Sequence, residues 1–235
     1  MARPALRPPA PRPSARGRLV WLAVGLALVG AAAWWLFLRE SPPDLRRLAN
    51  LAAPGETVVF LGDSITKGYG LSEAEAFPAL VAAALGVPHM NAGVSGDTTA
   101  TGLARLDRDV LVHQPRLTVV ELGGNDYLRR VPAAETLGNL DSVVTRLIDA
   151  GGMVAILHVS VGITGDPLLR GLREMAARRG ALFVPDILRG ILSDPALKLD
   201  PIHPNARGQR LIADRVAERL RPLLDEADRR RGAGR

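Results

Sequence analysis

The chain has 235 residues, 47% of them apolar, which suits one globular domain with a proper core plus something extra. Its net charge of +6 is confined to one end: residues 1–38 carry Arg3, Arg7, Arg12, Arg16 and Arg18 and no acid, so five of the six units sit there. A basic tail is not a basic face, and 4% aromatic residues are too few for base stacking, so nucleic-acid binding is excluded; the lack of cysteine excludes disulfides, thiolate metal sites and a thiol nucleophile.

Residues 1–18, rich in Pro, Arg and Ala, are expected to be a disordered basic N-terminus. Leu19–Leu38 then runs for 20 residues without a charge, the length that spans a bilayer core, with Trp34 and Trp35 near its far end where amphipathic rings favour the interface. Two membrane readings compete. A cleaved signal peptide, releasing the domain to the periplasm, has an apolar region of about 7–15 residues. Here the run continues past Ala31-Ala32-Ala33 into Trp34-Trp35-Leu36-Phe37-Leu38, which favours an uncleaved transmembrane anchor in the inner (cytoplasmic) membrane. Five arginines precede the span and Arg39, Arg46 and Arg47 follow it, which keeps the N-terminus cytoplasmic and the following domain extracytoplasmic.

Residues 39–55 read as a linker, with Pro42-Pro43 and Pro54-Gly55 as breaks. From Glu56 the pattern is regular. Apolar runs of strand length occur at Thr57–Leu61, Val87–Ala92, Leu117–Leu122, Met153–Val159 and Ala181–Val184. Helical stretches alternate with them at about Phe77–Leu85, Thr98–His113, Ala133–Ala150, Pro167–Arg179 and Pro204–Leu224. This alternation predicts an α/β domain over 56–224, a three-layer, flavodoxin-like, doubly wound parallel sheet of five strands in the order 2-1-3-4-5. Residues 225–235 read as a charged, frayed tail.

The polar clusters fall just beyond the strands. Gly62-Asp63-Ser64 follows the first, Asn91–Thr98 the second, and Gly123-Gly124-Asn125-Asp126 the third. In the order 2-1-3 these clusters are neighbours at the carboxyl edge of the sheet. Asp200-Pro201-Ile202-His203-Pro204 precedes the last helix; Asp200 and His203, three apart and flanked by prolines, can hydrogen-bond through one imidazole nitrogen and leave the other free to take a proton from a serine. Taken singly, Gly-Asp-Ser reads as a turn capping a helix, Gly-Gly-Asn-Asp as a turn and Asp-x-x-His as a helix start. Together, each at a strand end, they read as one site. No histidine pair has metal-ligand spacing, so neither metal nor cofactor is expected.

Gly62-Asp63-Ser64-Ile65-Thr66, Ser95-Gly96-Asp97-Thr98, Gly123-Gly124-Asn125-Asp126 and Asp200-Pro201-Ile202-His203-Pro204-Asn205 resemble blocks I, II, III and V of the SGNH, or GDSL, hydrolases, in the family's order. NAGVSGDTT, GLARL and VELGGND are similar to the bacterial thioesterase I/lysophospholipase and arylesterase-like subgroup. The resemblance implies a serine esterase with Ser64 as nucleophile, His203 as base and Asp200 as its partner. It also implies an oxyanion hole made of the Ser64 N–H, the Gly96 N–H and the Asn125 side chain. The implied substrates are lysophospholipids, acyl thioesters or aryl and alkyl esters, with a carbohydrate O-acetyl group as the alternative. The segment Val159–Gly171 is short for that subgroup. Asp63 is read as an organiser of the turn, and His158, at the end of the fourth strand, is set aside with the other histidines as at most brushing a substrate.

Other readings fit less well. A phosphate loop needs Gly-Lys where the chain has Lys67-Gly68, and no Gly-x-Ser-x-Gly elbow occurs. A glycosidase built on Asp63 and Asp126 leaves the neighbouring Asn and His idle. A membrane-tethered binding module with a dead site has no reason to keep Ser64, Gly96, Asn125, Asp200 and His203 together.

Overall fold

The computed structural model describes residue 24 and residues 44–160 and 166–233. The expected membrane segment Leu19–Leu38 lies, but for Val24, outside the described residues. Among those described, no helix is long and apolar enough to cross a membrane.

Five parallel strands, β1 (Val58–Gly62), β2 (His89–Gly93), β3 (Leu117–Glu121), β4 (Met153–Leu157) and β5 (Leu182–Val184), form one sheet in the order β2-β1-β3-β4-β5. This is the expected order. The helices are α1 (Ser64–Lys67), α2 (Phe77–Leu85), α3 (Thr99–Ala104), α4 (Leu106–Asp109), α5 (Gly124–Leu128), α6 (Ala133–Asp149), α7 (Leu169–Arg179) and α8 (Ala206–Ala233).

Side chains alternate across the strands; β1, β3 and β4 are buried on both faces, while the edge strand β2 is half-buried. Val58, Phe60, Val119 and Ala155 pack with Val81 of α2 and with Ile212, Val216 and Leu220 of α8. Val59, Leu61, Val120, Val154 and Ile156 pack on the other face with Leu106, Val143, Leu147, Leu172 and Met175. A strand covered on both sides has no polar face, which is why these segments read as continuous apolar runs. Each fully buried Val, Leu, Ile, Phe or Met contributes about 1.5–3 kcal/mol relative to exposure. Phe60 and Phe77 add an edge-to-face contact at 5.7 Å between β1 and α2.

Helix ends follow local chemistry. Pro78 sits in the first turn of α2, where its missing N–H costs nothing, and Gly86 closes that helix in the left-handed region. Thr98 caps α3, accepting from the Thr101 N–H.

Three boundaries differ from the sequence expectation. The single helix expected over Thr98–His113 is broken into α3, α4 and a 3-10 turn at Leu111–His113. The first break falls at Arg105, whose side chain is buried against Asp97 and the carbonyls of Gly62 and Ala92 instead of facing water. Part of the stretch expected as linker packs on the domain: Leu51 and Ala53 are buried, and the Asn50 amide donates to the Ile148 carbonyl at 2.7 Å and the Gly152 carbonyl at 3.0 Å.

Finally, α8 does not end at Leu224. It runs through Pro222 to Ala233, so 225–233 is helix and not a frayed tail. Ala227 is fully buried, the Arg116 guanidinium, nearly buried, pairs with Asp228, and Arg231 donates to the Gly55 carbonyl at 3.1 Å. Deleting 225–235 strips the buried Arg116 of its carboxylate. The truncated chain should lose about 2 kcal/mol, allowing for the exposure of Asp228, and melt roughly 4–8 °C lower. An unchanged melting temperature contradicts this reading of the last turns.

Candidate active site

The last residues of β1, β2 and β3 are in register: Gly62 pairs with Gly93 on one side and Glu121 on the other. The three loops that follow therefore leave the sheet side by side. Gly62 has no room for a side chain, because a Cβ there would sit 2.0 Å from the Thr66 hydroxyl.

Asp63 caps α1, its Oδ1 accepting from the Ile65 N–H at 2.9 Å, and this presents Ser64 as the first residue of that short helix. Ser64 Oγ lies 3.0 Å from His203 Nε2. On the other side of the ring, His203 Nδ1 lies 2.7 Å from Asp200 Oδ2. Asp200 Oδ1 accepts from the backbone N–H of Ile202 and of His203, each at 2.9 Å, so its carboxylate is fixed in a tight turn. An ionised Asp200 has only acceptors, so Nδ1 carries the hydrogen and Nε2 faces the serine as an acceptor. The hydrogen bond from His203, followed by that from Ile202, holds the Asp200 carboxyl down at about 2. Tyr69 stacks on the imidazole at 4.2 Å between ring centres.

From the second loop, Gly96 adopts a left-handed conformation with φ of +83°, a backbone position that favours glycine. Its carbonyl accepts from Arg129 at 2.8 Å. Neither the Ser64 nor the Gly96 backbone N–H has an acceptor among the described residues. From the third loop, Asn125 Nδ2 donates to the Asp97 carbonyl at 2.9 Å and to Asp63 Oδ2 at 3.0 Å. Asp126, buried beside it, accepts from the Thr99 N–H at 2.9 Å and from the Thr99 hydroxyl, which ties the third loop to the start of α3. The structure thus brings all five residues singled out in the sequence to one edge, on four separate loops.

Several residues around the site were not singled out. Gln209 of α8 donates to the Ile65 carbonyl at 3.0 Å and accepts from the Phe77 N–H at 2.8 Å, anchoring the nucleophile turn to α2 and α8. Glu121 is fully buried, and its Oε2 accepts from the Thr66 hydroxyl at 2.8 Å. Burial pushes the Glu121 carboxyl well up, and the neighbouring Asp63 charge adds to that; burial raises Asp63 as well. The signal for Glu121 was an acid inside an otherwise apolar strand. His158, set aside in the sequence, is 2% exposed and engaged inward: Nε2 lies 2.8 Å from Asp166 and Nδ1 accepts from the Asp186 N–H.

Chemically, the arrangement can activate a hydroxyl, carry its proton away and meet a developing oxyanion with neutral donors. A profile of the GDSL-like Lipase/Acylhydrolase family matches residues 60–211. The chain belongs to that family. It is 32% identical over 189 residues to "Thioesterase 1/protease 1/lysophospholipase L1" of Escherichia coli, covering 74% of this chain and 88% of that protein. Against "Esterase TesA" of Pseudomonas aeruginosa it is 33% identical, covering 75% and 94%. The crystal structure of the psychrotrophic esterase EstA from Pseudoalteromonas sp., inhibited by monoethylphosphonate, superposes with a TM-score of 0.67 at 25% identity, covering 72% of this chain and 99% of that one. This GDSL-family member is a serine ester hydrolase.

The Asp200–His203 bond has a signed pH consequence. Its folded value of about 2 lies below the ordinary 3.8, so Asp200 adds stability above about pH 4 and loses it as the pH falls towards 2. Asp200→Asn should therefore melt below wild type at pH 6, with the gap closing by about pH 2. A gap that stays constant across that range contradicts the assignment.

Proposed function

We propose that the enzyme hydrolyses esters or thioesters of apolar acyl chains through an acyl-enzyme on Ser64. The observation that carries the substrate class is the groove beside Ser64, a cavity of about 170 Å³ that reaches Ser64, Asn125 and His203. Ile65, Leu128, Val159, Leu188, Leu192 and Ile202 line it, and these are side chains suited to an alkyl chain. At about 30 Å³ for each water-sized group, the groove takes roughly six chain atoms.

In this reading the Ser64 hydroxyl attacks the acyl carbonyl as His203 Nε2 takes its proton. Asp200 holds the imidazole in the required tautomer and stabilises the imidazolium. The oxyanion is met by the N–H groups of Ser64 and Gly96 and by the Asn125 amide. Both Asn125 amide hydrogens are engaged in the free enzyme, so the amide serves the oxyanion by sharing one of them. His203 then gives its proton to the leaving group, and water, activated by the same imidazole, releases the acyl chain.

The location is proposed from sequence: Leu19–Leu38 as an inner-membrane anchor, the arginine-rich N-terminus cytoplasmic, and the hydrolase domain in the periplasm. That location favours lysophospholipids and small esters over acyl-CoA as natural substrates. Membrane fractionation, with a reporter fused after Arg235, tests it: a reporter active only in the cytoplasm contradicts the orientation.

A fluorophosphonate probe should label wild type and not Ser64→Ala; equal labelling of the two sinks the mechanism. On nitrophenyl esters, kcat/KM should rise up to about fourfold per added methylene, as expected from about 0.8 kcal/mol per buried CH₂, and level off once roughly six carbons are buried. A rate highest for acetate and falling with chain length would instead support carbohydrate O-acetyl groups as substrate.

A further inference from the structure

Beneath the residues that face the substrate lies a second carboxyl, that of Glu121. It closes β3, pairs across the sheet with Gly62 and has no solvent exposure. Its Oε2 accepts from the Thr66 hydroxyl at 2.8 Å and, more weakly, from the Asp63 N–H at 3.4 Å. Its Oε1 is buried and receives no hydrogen bond from any donor among the described residues.

A carboxylate buried in this way leaves the lone pairs of Oε1 unsatisfied, which native interiors avoid. A carboxylic acid with its proton on Oε1 needs an acceptor instead of a donor. The Asp63 carboxyl is at hand: the Asp63 N–H already reaches Glu121 Oε2 at 3.4 Å, and the two buried carboxyls act on each other. Two carboxyls in contact and out of water do not both ionise. Among the described residues no guanidinium or ammonium is bonded to either carboxyl: the nearby Arg105 is engaged by Asp97 and by the carbonyls of Gly62 and Ala92. The other titratable groups that act on Asp63 are His203 and Asp97.

We propose that Glu121 is a positioning residue for ester hydrolysis: its carboxylic acid shares its proton with Asp63, and Asp63 in turn sets the Asn125 amide for the oxyanion. The inference rests on the reading of Asn125 as an oxyanion donor. Asp63 Oδ2 holds one Asn125 N–H in the free enzyme, so a forming oxyanion competes with it. A full charge on Asp63 would grip that N–H and repel the oxyanion. The proton offered by Glu121 draws charge away from the oxygen facing Asn125, so the amide stays oriented and yields to the stronger anion.

The test measures kcat and KM on one nitrophenyl ester for wild type, Glu121→Gln, Glu121→Met, Asn125→Ala and the Glu121→Met/Asn125→Ala double variant, with thermal unfolding as the check on folding. Gln keeps a donor towards Asp63 and an acceptor towards Thr66, and should retain at least about a third of the wild-type kcat. Met has neither group, and its kcat should fall about 10- to 100-fold with KM within about twofold. The double variant should be no more than about twofold slower than Asn125→Ala, since both changes act on the same donor. Wild-type kcat in Glu121→Met, a folded Glu121→Gln as slow as Glu121→Met, or multiplying losses in the double variant would each overturn the proposal. Asn125→Ala at wild-type kcat removes the oxyanion reading and this inference together, whereas a slow Asn125→Ala beside a fast Glu121→Met removes this inference alone. Should Glu121→Met fail to fold, Glu121→Gln decides: retained kcat supports the relay and loss of kcat overturns it.

Discussion

Strand β1 lies between β2 and β3, and the grouping of the nucleophile with the oxyanion-binding loops of this hydrolase depends on that adjacency. Because Gly62, Gly93 and Glu121 end in register, the residues that follow them emerge together. Ser64 thereby shares one edge with Gly96 and Asn125, residues distant in sequence, and Asn125 ties the loops together through Asp63 and the Asp97 carbonyl. The sheet can afford no slippage here, since β1, β3 and β4 are buried on both faces and a one-residue shift would exchange the side chains of the two cores. Packing of the apolar interior is thus what fixes the geometry of the polar edge.

The fourth loop reaches the same edge by a different route. Asp200 and His203 stand in a tight turn after the sheet is complete, held by the Lys198–Pro204 bridge and by the N-terminal turn of α8, where Asn205 Oδ1 accepts from the Arg207 and Gly208 N–H groups. Gln209, one turn later, bonds directly to the nucleophile turn. The base and the nucleophile are therefore joined by the 3.0 Å contact between them and also through the start of α8, so the separation of Ser64 and His203 is set by the fold and not by loop mobility.

Much of this was legible in the sequence, and the reason is local. Ser64, Gly96 and Asn125 each follow an apolar run directly, and Asp200–His203 sits at a proline-flanked helix start, so a strand count and a strand order place them. What was not legible depends on partners far along the chain. Arg105 breaks an otherwise continuous helical pattern because it turns inward to Asp97 and two strand-end carbonyls. Asp228 looked like part of a charged tail because its partner, Arg116, lies more than a hundred residues away. Glu121 passed without notice inside the apolar run Leu117–Leu122 because its partners, Thr66 and Asp63, follow a different strand. Tyr69, stacked on His203, gave no pattern at all.

The central claim is that four loops form one acyl-transfer site with the oxyanion between the first three. The crystal structure of this enzyme after reaction with a small alkyl phosphonate tests it most directly, since the tetrahedral phosphorus imitates the intermediate. The account predicts a covalent bond to Ser64 Oγ, with one phosphonyl oxygen about 2.7–3.1 Å from the Ser64 N–H, the Gly96 N–H and Asn125 Nδ2 together. An adduct on another residue, or a phosphonyl oxygen turned to solvent away from these donors, would contradict it.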